Sequence, residues 1–545
     1  MPKIKYHESR KIENIRSALR ASERLYGERP AFMQKIDGEY KTVTYSRFRD
    51  MYEALGTELW ARGLSGRRII VTGDNCLDWA TVYIATVAGL GVIVPVDKEL
   101  PAEELCNIAS ISEAGAIFYS PRLAAKVAAL PDDIQKYSFD DISALIESGK
   151  ERLLNGEREY LRSYIDPDVM TALIFTSGTT GTSKGVMLSH RNICFCISEV
   201  AHMAYIGPEE VFLSILPMHH VYECTCGFLF PLTRGCCVAF SEGLRYITRN
   251  MQEVRPTIVC CVPILLETIY RKIWMNIRRK GIEKKVRNAI KLTRHAGLGL
   301  KRRVFAEIHD SLGGRIRMFI SGGAAADPEV MRGLRDFGLL AIQGYGLTEC
   351  SPLAAVNKDD YYRDDSAGLA TPNGVLDIYD VQDDGTGEIR YKGDNVMLGY
   401  YRAPELTAEV LEADGWFHTG DFGKIGEDGR LYITGRKKNM IVLRNGKNIY
   451  PEEIEEYLGG IPEVTEVIVS ALRSEDGEET GLAAEIFPGD ELVKSKTDDE
   501  LYTILKTAVE KVNDGLPSYK HVTKVVVRKT PFDKTTSGKI RRKYN

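Results

Sequence analysis

From Arg68 onward the chain alternates short β-branched runs with longer amphipathic segments. Ile69-Ile-Val-Thr72 is followed by a helical period over Leu77–Ala88, by Val92-Ile-Val-Pro-Val96, by a second helical period over Pro101–Ser112, and by Ala116-Ile-Phe-Tyr119. Apolar runs of strand length separated by 3.6-period segments predict βαβ units. The alternation resumes at Ala172-Leu-Ile-Phe175, Val211–Leu216, Val238-Ala-Phe240, Thr257–Val262, Arg317–Ile320 and Leu339–Ile342. Strands that are apolar on both faces, with helices between them, belong to parallel sheets covered by helices.

The texture changes between about 374 and 435, where short strands are punctuated by Asp384-Gly385 and Asp428-Gly429, which are hairpin signals. A last stretch of about a hundred residues follows Arg436-Lys437-Lys438, with helices expected near Pro451–Leu458 and Asp498–Asn513. Strands are expected there near Val464–Ala471, Gly481–Phe487 and Val522–Val527. The predicted fold class is therefore α/β. A large N-terminal domain, 1–437, holds helix-flanked sheets and a β-rich subdomain at about 374–435, and a small α+β domain occupies 438–545, a size that can fold alone. Function is expected where the large and small domains meet.

Composition narrows the function classes. The 545 residues carry 72 Lys+Arg against 76 Asp+Glu and are 44% hydrophobic, which describes a folded globular chain. A net charge of -4 and a pI near 6.2 give no whole-molecule attraction for nucleic acid, so no nucleic-acid partner is expected. The start, Met1-Pro-Lys-Ile-Lys-Tyr-His-Glu8, lacks the apolar core of a secretion signal, and the longest apolar stretch, Val82–Val96, is too short to span a bilayer. Eleven cysteines in hydrophobic runs, an odd number without zinc-site spacing, predict buried free thiols and a cytoplasmic setting. One segment departs from the average: Arg271–Arg303 holds thirteen Lys+Arg and one acid, Glu283. Ile282, Val286 and Ile290 recur there every four residues between the bases, as in an interfacial helix, so peripheral contact with an anionic membrane through 271–303 is one expectation. Contact with an acidic protein or with a phosphate-bearing ligand is a second, and a solvated helix packed by its Ile/Val stripe is a third.

Chemistry enters at Ala172–Phe175, which runs straight into Thr176-Ser177-Gly178-Thr179-Thr180-Gly181-Thr-Ser-Lys184-Gly185, with a helical period from about Ser189. A strand, a polar glycine loop and a helix in succession predict a phosphate site. Backbone N–H groups at Gly178, Gly181 and Gly185, four hydroxyls and the Lys184 ammonium would face the anion. The spacing is not that of a Walker loop.

At this point the chain resembles the adenylate-forming superfamily of acyl-CoA synthetases, luciferases and nonribosomal-peptide adenylation domains, and the likeness recurs along its length. The motifs are Thr176–Gly185, Leu216-Pro-Met-His-His-Val-Tyr-Glu223, Gly344-Tyr345-Gly346-Leu-Thr348-Glu349, Trp416-Phe-His-Thr-Gly-Asp421, Gly435-Arg-Lys-Lys-Asn-Met-Ile441, Asn445–Ile454 and Thr536-Ser-Gly-Lys539-Ile-Arg-Arg542. One departure is Ser183, where the family usually has Pro before the loop lysine.

The resemblance implies an ATP-dependent, AMP-forming acid–thiol ligase, an acyl-CoA synthetase using ATP, Mg2+ and CoA. A carboxylate is a poor acyl donor until its oxygen is exchanged for phosphate, and being already ionised it needs no base for that exchange. It needs charge neutralisation and in-line positioning. By resemblance, Thr348 and Glu349 hold the α-phosphate side and the metal, with Thr176 as a further metal contact. Tyr345, between Gly344 and Gly346, stacks on adenine opposite Gly322, Gly323 and Ala324. Asp421 accepts the ribose hydroxyls beside Ile433 and Arg436, and Lys539 bridges the reacting oxygens. Lys438 lies at the hinge about which the small domain rotates between half-reactions, and Gly446 lines the pantetheine tunnel. Asn445-Gly446 is also a plain type I′ turn signal, and both readings stand together. His219 orients or gates the thiol, or else is a core histidine. Taken singly, Tyr345 also reads as a core ring, Asp421 as a turn cap, Glu349 as an acid near an N-cap and Lys539 as a solvated tail residue, and it is their joint order that favours chemistry. The helix from Ile264 and Glu223 after the histidines are most similar to long-chain fatty acyl ligases, so the expected partners are a fatty acid and CoA. An acyl-carrier protein acceptor or an aryl acid is the alternative.

Overall fold

The computed structural model describes residues 4–177, 183–442, 448–473, 479–534, 540 and 542. The chain divides into two compact units, Met1–Val375 with Lys392–Phe417, and Leu376–Tyr391 with His418–Asn545. Among the described residues no helix is long and apolar enough to cross a membrane.

The first unit is built on two sheets. One runs, in spatial order, Gly368–Ala370, Leu353–Val356, Leu340–Gly346, Met318–Ser321, Ile258–Cys261, Val211–Ser214, Cys237–Phe240, Pro30–Ile36 and Glu39–Thr44. Its six middle strands, from Leu340–Gly346 to Pro30–Ile36, are parallel. Ile258–Cys261 and Met318–Ser321 are buried at every position, as parallel strands between helical layers must be. The second sheet runs Gly399–Tyr400, Ser183–Ser189, Met170–Ser177, Val92–Val96, Arg68–Thr72, Ala114–Tyr119 and Gln135–Ser138. The strands from Met170–Ser177 to Gln135–Ser138 are parallel and the first two are antiparallel additions.

The glycine loop is held differently from the strand–loop–helix expectation. Met170–Ser177 pairs antiparallel with Ser183–Ser189, Thr176 opposite Lys184 and Ser177 opposite Ser183, and residues 178–182 between them lie outside the described residues. The helix His190–Met203 begins only after the second strand, with Ser189 as its N-cap in a capping box with Asn192. Its N-terminus is a hairpin strand away from the loop. Gly185 is a strand residue whose added Cβ would lie 2.9 Å from Leu173 Cδ1, so close packing accounts for that glycine.

The basic segment folds as the helices Pro263–Arg279, Glu283–Thr293 and Leu298–Val304. Val286 is buried in the core, and Ile282 and Ile290 pack against it, so the stripe expected to face lipid covers protein instead. All eleven cysteines are free and nine are buried.

In the second unit the strand pair Phe417–Ile425 and Arg430–Arg436 is antiparallel. The C-terminal residues form the three-stranded sheet Glu466–Arg473, Glu479–Phe487 and Val522–Val527 under helices Pro451–Gly459 and Asp498–Asn513, as the periodicity predicted. Ile454, Leu458, Val469, Leu482, Ile486 and Leu505 are its buried core. The strands Ile441–Val442 and Asn448–Ile449 pair antiparallel, and Gly446 between them lies outside the described residues.

Candidate functional site

Within the first unit the predicted residues gather at the carboxyl edge of the parallel strands, where α/β sheets place their ligands. Met318–Ser321 runs into Gly322-Gly323-Ala324, and its parallel neighbour Leu340–Gly346 carries Gly344, Tyr345 and Gly346 before a single 3₁₀ turn, Thr348–Cys350. Tyr345 is buried, and Gly346 approaches the backbone of Pro352 so closely that an added Cβ would sit 1.9 Å from its carbonyl oxygen. Gly323 has φ +86°, a left-handed conformation that favours glycine. Gln343 Oε1 accepts the Ala326 N–H at 3.0 Å, which fixes the turn after Ser321 to the adjacent strand.

Glu349 and Lys184 are brought together by a residue the sequence reading missed. The Tyr400 hydroxyl donates to Glu349 Oε1 at 2.8 Å, and the Lys184 ammonium lies 5.1 Å from the centre of the Tyr400 ring. The backbone N–H of Met397 donates to Glu349 O at 2.8 Å. Burial, and then the Glu349 charge, hold the Tyr400 phenol well above its ordinary pKa, so it stays a donor. Among the described residues no cluster of three or more His, Cys, Asp or Glu could hold a metal. A half-buried carboxylate such as Glu349 does fit Mg2+, which is held by one or two carboxylates together with substrate phosphates.

His219 follows the strand Val211–Ser214 and is partly buried, its side chain 11% exposed, with Nε2 3.7 Å from Asp97 Oδ2, beyond hydrogen-bonding range. Burial, and then the adjacent His220 with its ring centre 4.3 Å away, push the His219 pKa down to about 3, against the opposing pull of Asp97. The imidazole is therefore neutral at neutral pH and resists protonation.

In the second unit Asp421 is buried opposite Arg436 in the strand register, with Arg436 Nε 3.2 Å from Asp421 Oδ1. The turn ahead of it is wired to the strand Gly387–Lys392. Thr419 Oγ1 donates to Ile389 O at 2.7 Å, and the Gly420 N–H donates to Glu388 Oε1 at 3.2 Å. Gly420 has φ +69°. Buried Glu388 also binds Lys437 Nζ at 2.9 Å, a contact that no motif announced. Ile433 faces outward on the paired strand, 40% exposed. Lys438 sits in the short turn Lys437–Asn439, where burial lowers its pKa. Gly178, Thr179, Thr180, Gly181, Gly446 and Lys539 lie outside the described residues, as does the Ser177 side chain.

Comparison with known proteins identifies the family. The AMP-binding enzyme family matches residues 19–401, and the AMP-binding enzyme C-terminal domain matches 438–544. Long-chain-fatty-acid–CoA ligase 1 of Cavia porcellus is 28% identical over 470 residues, covering 77% of this chain and 66% of that protein. Long chain acyl-CoA synthetase 7, peroxisomal, of Arabidopsis thaliana is 31% identical over 456 residues, covering 77% and 65%. The chain thus spans just under two thirds of the length of these relatives. Among solved structures, ATP-bound MatB from Rhodopseudomonas palustris shares the fold with a TM-score of 0.75 at 23% identity, over 97% of both chains. With the family match extending over most of its length, this chain belongs to the AMP-binding enzymes.

Proposed function

We propose that the chain is an AMP-forming acid–thiol ligase that adenylates a medium- or long-chain fatty acid and transfers the acyl group to CoA. The observation that carries this reading is the union of Lys184, Tyr400 and Glu349 at the edge of the parallel sheet. A phosphate-side cation and a hard carboxylate are held by one ring. In the first step a carboxylate oxygen attacks the α-phosphorus of ATP, the α–β phosphoanhydride breaks, and pyrophosphate leaves. In the second the thiol sulfur attacks the acyl carbon, the bond to the adenylate oxygen breaks, and AMP leaves while the thiol proton passes to water, His219 orienting the thiol.

The role of each residue follows the motif order. Thr176, Ser177, Gly178, Thr179, Thr180, Gly181 and Lys184 cradle the β- and γ-phosphates, and Thr348 meets the α-phosphate. Glu349, with Thr176, holds Mg2+, which neutralises charge on the phosphates. Tyr345 stacks on adenine against Gly322–Ala324. Asp421 accepts from the ribose, flanked by Ile433 and Arg436. Lys539 serves the first step only, Lys438 is the hinge at the 437/438 boundary, and Gly446 and His219 serve the thiol. The names of the relatives, long-chain acyl ligases, support the acid class. To test this, pyrophosphate release is measured over a panel of acids and the thioester product is identified by mass. Acyl-CoA from long-chain acids is expected, whereas product only with aryl acids, or only with a carrier protein, contradicts the substrate assignment.

We extend the proposal to peripheral contact between the 271–303 segment and an anionic membrane, on charge rather than on an apolar face. Lys301 is buried against Asp336 at 3.3 Å and Arg302 binds the carbonyls of Gly338 and Arg317, so the outward charge comes from the other bases, beside 87%-exposed Leu292. Pelleting with anionic vesicles that salt reverses is expected, and binding indifferent to lipid charge sinks it.

A further inference from the structure

We propose that Asn75, Ser214 and Glu223 form a positioning chain that fixes the His219 segment for thioester formation, an inference that rests on the thiol-step role given to His219. Asn75 lies in the turn before the helix Leu77–Ala85, and Ser214 ends the strand Val211–Ser214, so the chain joins the two sheets of the first unit. Asn75 Nδ2 donates to Leu216 O at 2.6 Å and to Ser214 Oγ at 3.0 Å, while Asn75 Oδ1 accepts the Met218 N–H at 3.0 Å. Both amide protons and the amide oxygen are thus engaged. A flipped amide would set oxygen against the Leu216 carbonyl and N–H against N–H, so only one orientation serves. The Ser214 hydroxyl passes the chain on, donating to Glu223 Oε1 at 2.6 Å.

These contacts bracket the two histidines. Leu216 and Met218 are clamped on one side, and on the other Glu223 opens the π-helical turn Glu223–Leu229 while the Tyr222 hydroxyl donates to Ile320 O at 2.7 Å. Ser214 is 2% exposed and Glu223 1%, and among the described residues Glu223 Oε2 has no hydrogen-bond partner. An added Cβ at Gly227 would lie 2.6 Å from the Glu223 carboxyl carbon, so the turn leaves room for this acid and little else. Burial pushes the Glu223 pKa up to about 8, against the Ser214 hydrogen bond, keeping it a neutral acid near neutral pH. A buried polar chain contributes little net stability compared with an apolar core, but it specifies one backbone geometry. Here the geometry specified is that of the loop presenting His219 to Asp97.

The test assays the two half-reactions separately, as pyrophosphate release without CoA and acyl-CoA formation from supplied acyl-adenylate. Glu223→Ala, Ser214→Ala and His219→Ala should each slow the second about tenfold or more, the scale of a lost positioning contact, and leave the first within about threefold. Glu223→Gln should return the second to within about threefold of the parent, since its amide oxygen accepts from Ser214 as the acid does. Glu223→Ala combined with His219→Ala should be no slower than His219→Ala alone. Should Glu223→Ala fail to fold, Ser214→Ala carries the same test. Equal loss of both half-reactions in the Glu223 and Ser214 variants, or Glu223→Gln as slow as Glu223→Ala, overturns the chain alone. A normal second half-reaction in His219→Ala overturns the role of His219 and the chain with it.

Discussion

At the scale of single residues, the groups that announce themselves are those whose chemistry sits in a motif. Lys184, Glu349 and Asp421 each stood out because a cation, a carboxylate and an acceptor lay in glycine-rich frames. Tyr400 and Asn75 did not. Their partners are 51 and 139 residues away, and no local spacing encodes such pairings. Because Tyr400 donates to the proposed metal carboxylate, Tyr400→Phe should raise the Mg2+ concentration that half-saturates pyrophosphate release by about tenfold, as loss of an outer-sphere partner does. An unchanged Mg2+ titration would detach the ring from the metal site. Glu223 gives a second residue-scale expectation. Its folded pKa of about 8 lies above the ordinary 4.5, so the folded chain holds a proton the unfolded chain has released between those values. Stability from this group is therefore full below about pH 4.5 and is lost as pH rises toward 8. Glu223→Gln removes that slope, so its stability relative to the parent should improve from pH 5 to pH 8 in denaturant titrations, and a constant difference would show that the acid is not held neutral.

Elements were legible where hydrophobic period and length agreed, as in Asp498–Asn513 and the βαβ series from Arg68. The loop at 176–185 was misjudged at this scale. Its composition suits an anion, but Ser183–Ser189 is a strand too short and mixed in polarity to show a period of two, and its pairing with Met170–Ser177 decides the geometry. The Ile282, Val286, Ile290 stripe was likewise visible as a stripe, while what it covers was not, because periodicity marks a face and not its partner. Ser189 caps the helix that follows the hairpin. Ser189→Ala should lower stability by about 1 kcal/mol in urea titrations and leave the rate of pyrophosphate release nearly unchanged. A large rate loss at intact stability would mean that the helix terminus takes part in the chemistry after all.

For the whole molecule, the α/β class with a smaller C-terminal α+β sheet followed from alternation alone, since strands apolar on both faces need helices to cover them. Compactness draws its line elsewhere than the motifs do: residues 376–391 and 418–437 group with the C-terminal residues, whereas the motif boundary falls at 437/438. Contacts within hairpins set the first division, and the proposed turn about Lys438 sets the second. If that division of labour holds, Lys539→Ala abolishes pyrophosphate release and spares thioester formation from supplied acyl-adenylate, and equal loss of both would remove the lysine from its role. The claim beneath all of these is that the acid is activated as an adenylate before any thiol is bound. Isotope exchange between pyrophosphate and ATP, run with a long-chain acid and Mg2+ and without CoA, tests it directly. Exchange that requires the acid and proceeds without CoA is predicted, and exchange that appears only when CoA is present, or turnover yielding ADP and phosphate, would contradict it.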